Sequence, residues 1–153
     1  GEGCGYLIPE LGVMLNNMLG EEDLNPSGFH NFSHQQRLPT MISPTVIMDD
    51  HRPELVLGSG GSNRIRSAVL QVIINYYNKA MSLEKAVSTS RIHLEGNILH
   101  CEPDISSIIE NKLPDEIRIH NWDMQNLFFG GVNAVTPNEA VGDSRRGGTG
   151  IVY

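Results

Sequence analysis

The chain has 153 residues, of which 39% are hydrophobic, so it is long enough for one domain with a real core. Its formal net charge of -7 and isoelectric point near 5.2 argue against nucleic-acid binding, which needs clustered Lys and Arg. The longest apolar stretch, 68–74, is far shorter than the roughly 20 residues of a membrane helix, so no membrane segment is expected in this chain.

The N-terminal part predicts two short strands followed by a surface loop. The strands are expected at 5–9 and 13–17, and the range 18–37 is polar and contains Pro and Gly, which is typical of a loop. His30 and His34 are four positions apart in this loop, but they match no metal-ligand spacing. We therefore expect neither a metal site nor another cofactor.

A hairpin is predicted in the middle of the chain, with strands at 44–48 and 54–58 joined by the five residues 49–53. Its second strand leads into the sequence Gly-Ser-Gly-Gly-Ser-Asn-Arg-Ile at 58–65. Adjacent glycines can adopt positive φ, and the first amides of the following helix have no intrahelical partners. Such a turn suits an anion or a developing oxyanion, although a plain strand-to-helix turn is the alternative.

The glycine turn does not belong to the common nucleotide-binding motifs. It lacks the G-x-G-x-x-G pattern of dinucleotide-binding folds, and no Gly-Lys-Ser/Thr follows as in a P-loop. Asn63 is the predicted N-cap of a helix whose apolar positions continue to Met81 at helical spacing. Leu70 and Ile74 widen the apolar stripe, which predicts a helix packed between layers.

The C-terminal part predicts further strands and two short helices. Ser82 is the expected N-cap of a helix at 83–88. The remaining expected elements are strands at 92–95, 98–102, 116–120, 127–135, 140–142 and 150–153 and a helix at 106–112. The fold class predicted from this order is layered α+β, in a single domain that spans 1–153. Asp143 and Arg145 are expected to form an ion pair that contributes less than about 1 kcal/mol if it is exposed.

Several blocks of the sequence resemble the small subunit of the γ-glutamyltranspeptidases. The order and spacing of these blocks agree with the family, and the resemblance runs through most of the chain. The blocks are the Gly-x-x-Leu-Asn-Asn element at 12–17, the segment 37–47, the glycine turn, the helix at 68–75, and Arg91-Ile92-His93 after Ala86-Val87. The tail, at 128–132 and 142–148, is similar to acylase-like members.

The resemblance implies the αββα fold of N-terminal-nucleophile hydrolases. In that family a proenzyme cleaves itself, and the new N-terminal Thr becomes a nucleophile whose own amine is the base. Aligned on 15–17, this sequence begins downstream of the expected Thr, so the resemblance implies an incomplete fold without the first strand. We therefore expect this polypeptide to be inactive alone. None of Thr40, Thr45, Thr89, Thr136 and Thr149 lies in the block where the nucleophile is expected.

The resemblance also implies the partners. The family's Arg for the substrate carboxylate belongs to a large subunit cut from the same proenzyme, and the substrate is a small γ-glutamyl compound or another amide. Family members are often periplasmic, secreted or membrane-anchored, and the sequence leaves the location of this one open. Arg91 and His93 match the family's Pro-Arg-x-His block, but a structural role at the start of a strand is expected for them.

The resemblance places the family's oxyanion hole in the glycine turn. Alignment on the following Arg-Ile assigns the two donor amides to Gly61 and Ser62, whereas alignment on the glycine pair assigns them to Gly60 and Gly61. Such a pair of donors is the largest catalytic contribution that this chain is expected to make.

The implied substrate-binding residues depart from the family pattern. The family's paired serines align with Thr40 and Met41, and the positions after Asn17 that hold the substrate amine align with Met18 and Glu21. The resemblance implies first a γ-glutamyltransferase or amidohydrolase. Two methionines in place of hydrogen-bonding groups weaken recognition of a zwitterion, which supports as a second reading an acylase-like paralogue acting on a different amide. The alternatives are that Met18 and Met41 are core residues, and that the domain is a noncatalytic scaffold or binder.

Overall fold

The computed structural model describes residues 3–109 and 112–153. The contacts within the chain form two compact units, Gly1–Ile42 and Ser43–Tyr153. Both units were predicted as parts of one domain, and this remains a prediction. The described residues combine helices with antiparallel and parallel strand pairs, which confirms the predicted α+β class.

The N-terminal unit contains one small hairpin and two tight turns. Strand β1 (Leu7–Ile8) pairs antiparallel with β2 (Val13–Met14), within the predicted strand ranges. The predicted loop that follows contains 3₁₀ turns at Met18–Gly20 and Glu22–Leu24. Its side chains are exposed or half-buried except Leu24 and Asn25, which are buried. The surface-loop prediction therefore fails only at these two residues.

The C-terminal unit contains the remaining elements in its described residues. They are β3 (Thr45–Asp49), β4 (Arg52–Gly60), α1 (Arg64–Ile73), α2 (Leu83–Ser88), β5 (Ile92–Glu95), β6 (Ile98–Cys101), α3 (Ser106–Ile109), β7 (Arg118–Asn121), β8 (Gly131–Val135) and β9 (Ala140–Val141). One sheet has the order β3-β4-β8-β9 with every pair antiparallel. The other has the order β5-β6-β7, in which β7 runs parallel to β6.

The main core lies where α1 and α2 pack on the four-stranded sheet. The strands contribute buried apolar side chains from alternate positions of β4 and β8, as expected for a sheet covered on one face. The most buried apolar residues are Leu55, Leu57, Ile65, Ala68, Val72, Leu83, Ala86, Val87, Cys101, Phe129, Val132 and Ala134.

The hairpin between β3 and β4 is tighter than predicted. Its connection is the two residues Asp50 and His51, at φ 39° and 77°, instead of the five at 49–53. Two successive left-handed residues make the kind of two-residue turn that matches the twist of paired strands. Arg52 and Pro53 therefore belong to β4.

Strand β4 also continues beyond the predicted end. Residues 58–60 pair in register with 131–133 of β8, so the first half of the expected glycine turn is strand. The turn itself begins at Gly61. Because β8 lies far along the chain, the sequence around 58–60 carries no local sign of this pairing.

Helix α1 is found where predicted, but it ends at Ile73 instead of continuing to Met81, and its predicted cap is wrong. Asn63 has helical φ and ψ of -60° and -19° and makes no capping hydrogen bond. Its side chain instead donates to Glu95 Oε1 at 2.8 Å and accepts from Arg64 Nη1 at 2.5 Å. Beyond α1 the chain continues as a π-helical turn, Ile74–Asn78.

The apolar stripe of α1 is narrower than predicted. Ile65, Ala68 and Val72 face the sheet, whereas Leu70 and Ile74 are 56% and 38% exposed. The prediction of a helix covered on most of its girth is therefore wrong for these two positions. In contrast, Ser82 caps α2 as predicted, since its side chain accepts from the Lys85 amide at 3.3 Å.

The elements near the C-terminus differ most from expectation. The range 127–129, predicted as strand, is a 3₁₀ turn, and the Asn126 side chain caps it by accepting from the Phe128 amide at 2.9 Å. No strand is found at 150–153, which is described in full. The predicted helix 106–112 is observed as α3, and positions 110–111 lie outside the described residues.

Candidate active site

The glycine turn joins the end of β4 to the start of α1. Gly61 has φ of 126° and Ser62 has φ of 54°, so two successive residues take up conformations with positive φ. The Arg64 amide then donates to the Gly61 carbonyl, and the Ile65 amide donates to the Ser62 carbonyl, each at 3.1 Å. The chain therefore reverses from strand to helix within two residues, and both carbonyls are turned toward the helix.

Gly61 fits this turn because it lacks a side chain. A Cβ atom at this position would lie 2.9 Å from the Cα of Gly130, which is closer than real contacts allow. Gly61 is buried, and its amide makes no hydrogen bond to another residue in the described part of the chain. A buried amide without a partner is uncommon and is suited to a bound acceptor.

Ser59 fixes the strand end that precedes the turn. Its hydroxyl donates to the Gly60 carbonyl at 2.8 Å and accepts from the Gly131 amide at 3.1 Å. The serine hydroxyl thus links the two strands at the point where β4 ends. This contact restrains the backbone on the β4 side of the turn.

Arg64 restrains the turn on the helix side. Its Nε donates to the Phe128 carbonyl at 3.2 Å, and its guanidinium carbon lies 4.9 Å from the centre of the Phe128 ring. Phe128 in turn stacks on Trp122, with ring centres 5.0 Å apart. Neither aromatic residue was expected near the glycine turn, since both are about 60 positions away in sequence.

His93 lies beside the start of α1. Its Nδ1 is 2.8 Å from the Ser67 hydroxyl, and its Nε2 is buried with no hydrogen-bond partner among the described residues. Burial lowers the pKa of His93, with the positive charge of Arg64 as one further cause. A neutral imidazole that is fixed by a hydroxyl agrees with the structural role predicted for this residue.

Four charged residues, Arg91, Glu102, Asp143 and Arg145, form a buried network in the C-terminal unit. Arg91 Nη2 lies 2.7 Å from Asp143 Oδ2, Arg145 Nη2 lies 2.5 Å from Glu102 Oε2, and Arg145 Nη1 lies 3.3 Å from Asp143 Oδ1. All four side chains are at most 2% exposed. The predicted pair of Asp143 and Arg145 is confirmed, and it is buried, so the small contribution given for an exposed pair does not apply to it.

The network is completed by backbone groups, which explains how four charges remain buried. Both arginines donate to the Val87 carbonyl, and Asp143 accepts from the Val132 amide at 2.9 Å. Burial is the largest single influence on Asp143 and opposes its ionisation, but the Arg91 and Arg145 charges and the Arg145 and Val132 amides together outweigh it and hold the pKa of that carboxyl below its usual range. Burial itself lowers the pKa of Arg91.

The predicted substrate-binding residues all lie in the N-terminal unit. Asn17 precedes the first 3₁₀ turn, Met18 begins it, and the Glu21 amide donates to the Met18 carbonyl at 3.1 Å. Thr40 is exposed and its hydroxyl accepts from the Ile42 amide at 3.1 Å, whereas Met41 is half-buried. Neither methionine is fully buried, so the alternative that both are core residues is not supported by their exposure.

Asn25 organises the turns that carry Met18 and Glu21, and sequence reasoning missed it. Its side-chain amide donates to the carbonyls of Leu19 and Glu21 at 3.2 Å and 2.6 Å, and also to that of Met18 at 3.3 Å. Asn25 is only 5% exposed. Its place after a run of acidic residues in a polar loop gave no sign of burial.

Substitution of Asn25 by Ala is expected to destabilise the full-length protein by about 1–3 kcal/mol, because three carbonyls lose their donor. Urea unfolding measures the loss, and hydrogen exchange of the peptide 17–28 shows whether it is local. Asn138→Ala is the matched control, since Asn138 is exposed. Equal stability of the two variants would contradict the assigned role.

The described residues contain no group of three or more His, Cys, Asp or Glu side chains placed to hold a metal ion. Cys4 and Cys101 are both free thiols. Among the residues that the structure describes, every helix is too short or too polar to cross a membrane.

The fold is that of N-terminal-nucleophile hydrolases. A solved structure of the transpeptidase CapD from Bacillus anthracis superposes with a TM-score of 0.73 at 28% identity, over 99% of this chain and 86% of that one. Residues 2–153 match the sequence profile described as Gamma-glutamyltranspeptidase. The chain belongs to the γ-glutamyltranspeptidase family, and the predicted resemblance and fold are confirmed.

The curated relatives carry names of hydrolases and acylases. A Glutathione hydrolase proenzyme of Bacillus subtilis is 36% identical over 91 residues, which is 60% of this chain and 16% of the relative. The Acylase ACY 1 proenzyme of Pseudomonas sp. strain SE83 is 30% identical over 136 residues, 89% of this chain and 24% of the relative. The chain thus spans less than a quarter of the length of these relatives, both of which are named as proenzymes.

Proposed function

We propose that the full-length protein transfers or hydrolyses an acyl group through an N-terminal threonine ester, and that this chain supplies the oxyanion hole. The observation that carries the proposal is the turn at Gly61 and Ser62, where φ is positive twice in succession and the Gly61 amide has no partner among the described residues. Membership of the family supports acyl transfer or hydrolysis as the class of reaction.

We assign the donor amides to Gly61 and Ser62 in preference to Gly60 and Gly61. Gly60 is the last residue of β4, where its backbone pairs with Gly131. The amides of the turn begin after that position. This supports the alignment made on the Arg-Ile pair that follows the turn.

The proposed mechanism needs a threonine upstream of Gly1 in the full-length protein. Its hydroxyl attacks the amide carbonyl while its own amine takes the proton, and the carbonyl oxygen becomes an oxyanion. The two amides donate to that oxygen, and each such donor is worth about 3–4 kcal/mol of transition-state stabilisation. The leaving amine departs with a proton, and water or another amine then cleaves the ester.

We propose an acylase-like substrate, an amide that is not recognised through a zwitterionic γ-glutamyl head group. The candidate contacts are Asn17, Met18, Glu21, Thr40 and Met41. Met18 and Met41 stand where the family pattern has hydrogen-bonding groups, which lowers affinity for a charged amine and carboxylate. A γ-glutamyl compound is the second candidate, since Thr40 and Glu21 keep a hydroxyl and a carboxylate.

A large subunit from the same proenzyme is the proposed partner. The present chain covers most of the solved CapD chain but less than a quarter of the curated proenzymes. That difference supports cleavage into two chains of unequal length. We propose that this chain lies within the smaller one and that it is inactive by itself.

Denaturing mass spectrometry of the purified full-length protein is expected to give two chains, the smaller with Thr at its new N-terminus upstream of Gly1. The processed protein should then cleave an acyl anilide that lacks the α-amine faster than the γ-glutamyl anilide, because the methionines do not hold an ammonium group. The control is the same protein with that Thr changed to Ala. A single uncut chain with no amidase activity would contradict the proposal and support the alternative that the domain is a noncatalytic scaffold or binder.

A further inference from the structure

Gly131 of β8 makes room for the side chain of Arg146, which also lies against Gly60 of β4. Gly60 and Gly131 are register partners. A Cβ at Gly131 would lie 2.5 Å from Arg146 Cδ, and a Cβ at Gly60 would lie 3.7 Å from the guanidinium carbon. A Cβ at Gly61 would also lie 3.7 Å from Arg146 Nη2. The guanidinium therefore covers the backbone of the glycine turn.

The structure holds Arg146 firmly in this position. The residue ends the 3₁₀ turn Ser144–Arg146, which Asp143 caps by accepting from the Arg145 amide at 3.0 Å. Gly147 follows with φ of 65° and ends the turn. Since Asp143 and Arg145 belong to the buried ion network, the network fixes the backbone from which Arg146 extends.

The guanidinium keeps unused donor capacity beside the turn. Its Nη2 donates to the Leu127 carbonyl at 3.1 Å, while its Nε is buried without a hydrogen-bond partner among the described residues. No carboxylate pairs with Arg146 in the described part of the chain. Its positive charge therefore acts on the adjacent backbone without a neutralising partner nearby.

We propose that Arg146 is a positioning residue for the oxyanion hole, and this rests on the function proposed above. The packed side chain holds the backbone of the glycine turn, so that the Gly61 and Ser62 amides keep one orientation. Its charge also favours a negative oxygen at the turn. An arginine suits this role because it stays protonated and its planar group packs flat on glycine backbone.

The test compares Arg146→Met and Arg146→Lys in the full-length protein, with Arg66→Met as the control because Arg66 is exposed on α1. The subunits are co-expressed as separate chains so that processing does not limit the comparison. We expect Arg146→Met to lower kcat per titrated active site by about 10-fold or more, with a smaller change in KM. This is less than the 10²–10³-fold effect of losing a donor outright. Arg146→Lys should recover part of kcat, since it restores charge without the planar contact.

Hydrogen exchange of the Gly60–Ser62 amides gives a readout that does not need activity. We expect exchange there to speed up at least about 10-fold in Arg146→Met and to stay unchanged in Arg66→Met, because the turn loses its packing. An inactive parent protein with this faster exchange would overturn the proposed function, and with it the role at an oxyanion hole, while showing that Arg146 holds the backbone of the turn. An active parent whose Arg146→Met variant keeps kcat, or loses it without a change in exchange at the turn, would overturn the positioning role alone.

Discussion

Replacement of Arg145 by Met is expected to destabilise the full-length protein by about 3–5 kcal/mol, because it leaves Glu102 buried and unpaired. Arg145 makes hydrogen bonds to both carboxylates of the network and to the carbonyls of Val87 and Thr89. Met keeps much of the side-chain volume, so the loss measures electrostatics and hydrogen bonding more than packing. Urea unfolding and the change in Tm measure it.

Arg118→Met is the matched control. Arg118 is exposed, and its substitution removes the same charge from the same unit. The double variant Glu102→Gln with Arg145→Met should lose less than the sum of the single variants, because it leaves no unpaired charge. A loss from Arg145→Met no greater than that of the control would mean that the network contributes little to stability.

Replacement of Gly61 by Ala is expected to lower kcat per active site by about 10²–10³-fold in the processed full-length enzyme. The added Cβ would lie 2.9 Å from the Cα of Gly130, and φ of 126° is a conformation that side chains disfavour. The backbone must shift, and the two donor amides shift with it. Single-turnover kinetics measure the acylation step, and thermal unfolding measures any accompanying loss of stability.

Gly58→Ala tests whether any extra methyl group near the turn has this effect. Gly58 lies in β4, and a Cβ there would meet no atom within 4 Å. We expect its kcat to stay within about threefold of the parent, since neither strain nor a clash displaces the amides. Equal losses in the two variants would argue against a donor role for the turn, as would full activity of Gly61→Ala.

Elements with strong local signals were predicted well. The hairpin of β5 and β6 surrounds a Gly-Asn pair at 96–97, and Ser82 precedes a short helix with Glu84 in its first turn. In both cases the residues that define the structure lie within a few positions of one another. Tertiary contacts then agree with the local preference, so the prediction holds.

Predictions failed where a contact with a distant residue overrides the local preference of a side chain. Asn63 has the chemistry of an N-cap, but its side chain binds Glu95, which lies 32 positions away. The apolar range 127–129 has the composition of a strand, but the 3₁₀ turn places Phe129 in the core and Phe128 under Arg64. Local propensity is weaker than such contacts, and no window of sequence contains both partners.

In the candidate site too, local features were found from the sequence and distant contacts were missed. The glycine turn was found from sequence because a strand, two adjacent glycines and a helix start occupy eight consecutive residues. Arg146 was missed because it reaches the turn from the far end of the chain, through the space left by the absent side chain of Gly131. A glycine in a strand signals close approach, but it does not tell which residue approaches.

By itself, the sequence determined the α+β class from periodicity, the family from the resemblance of its blocks, and the place of the glycine turn from consecutive residues. Only the tertiary structure determined which charged residues are buried and which of them form ion pairs. Arg91 and Asp143 are 52 positions apart, and Glu102 and Arg145 are 43 apart, yet each pair is buried in direct contact. Whether a charge is exposed or buried depends on what the rest of the chain places around it, and that fixes both its pKa and its contribution to stability.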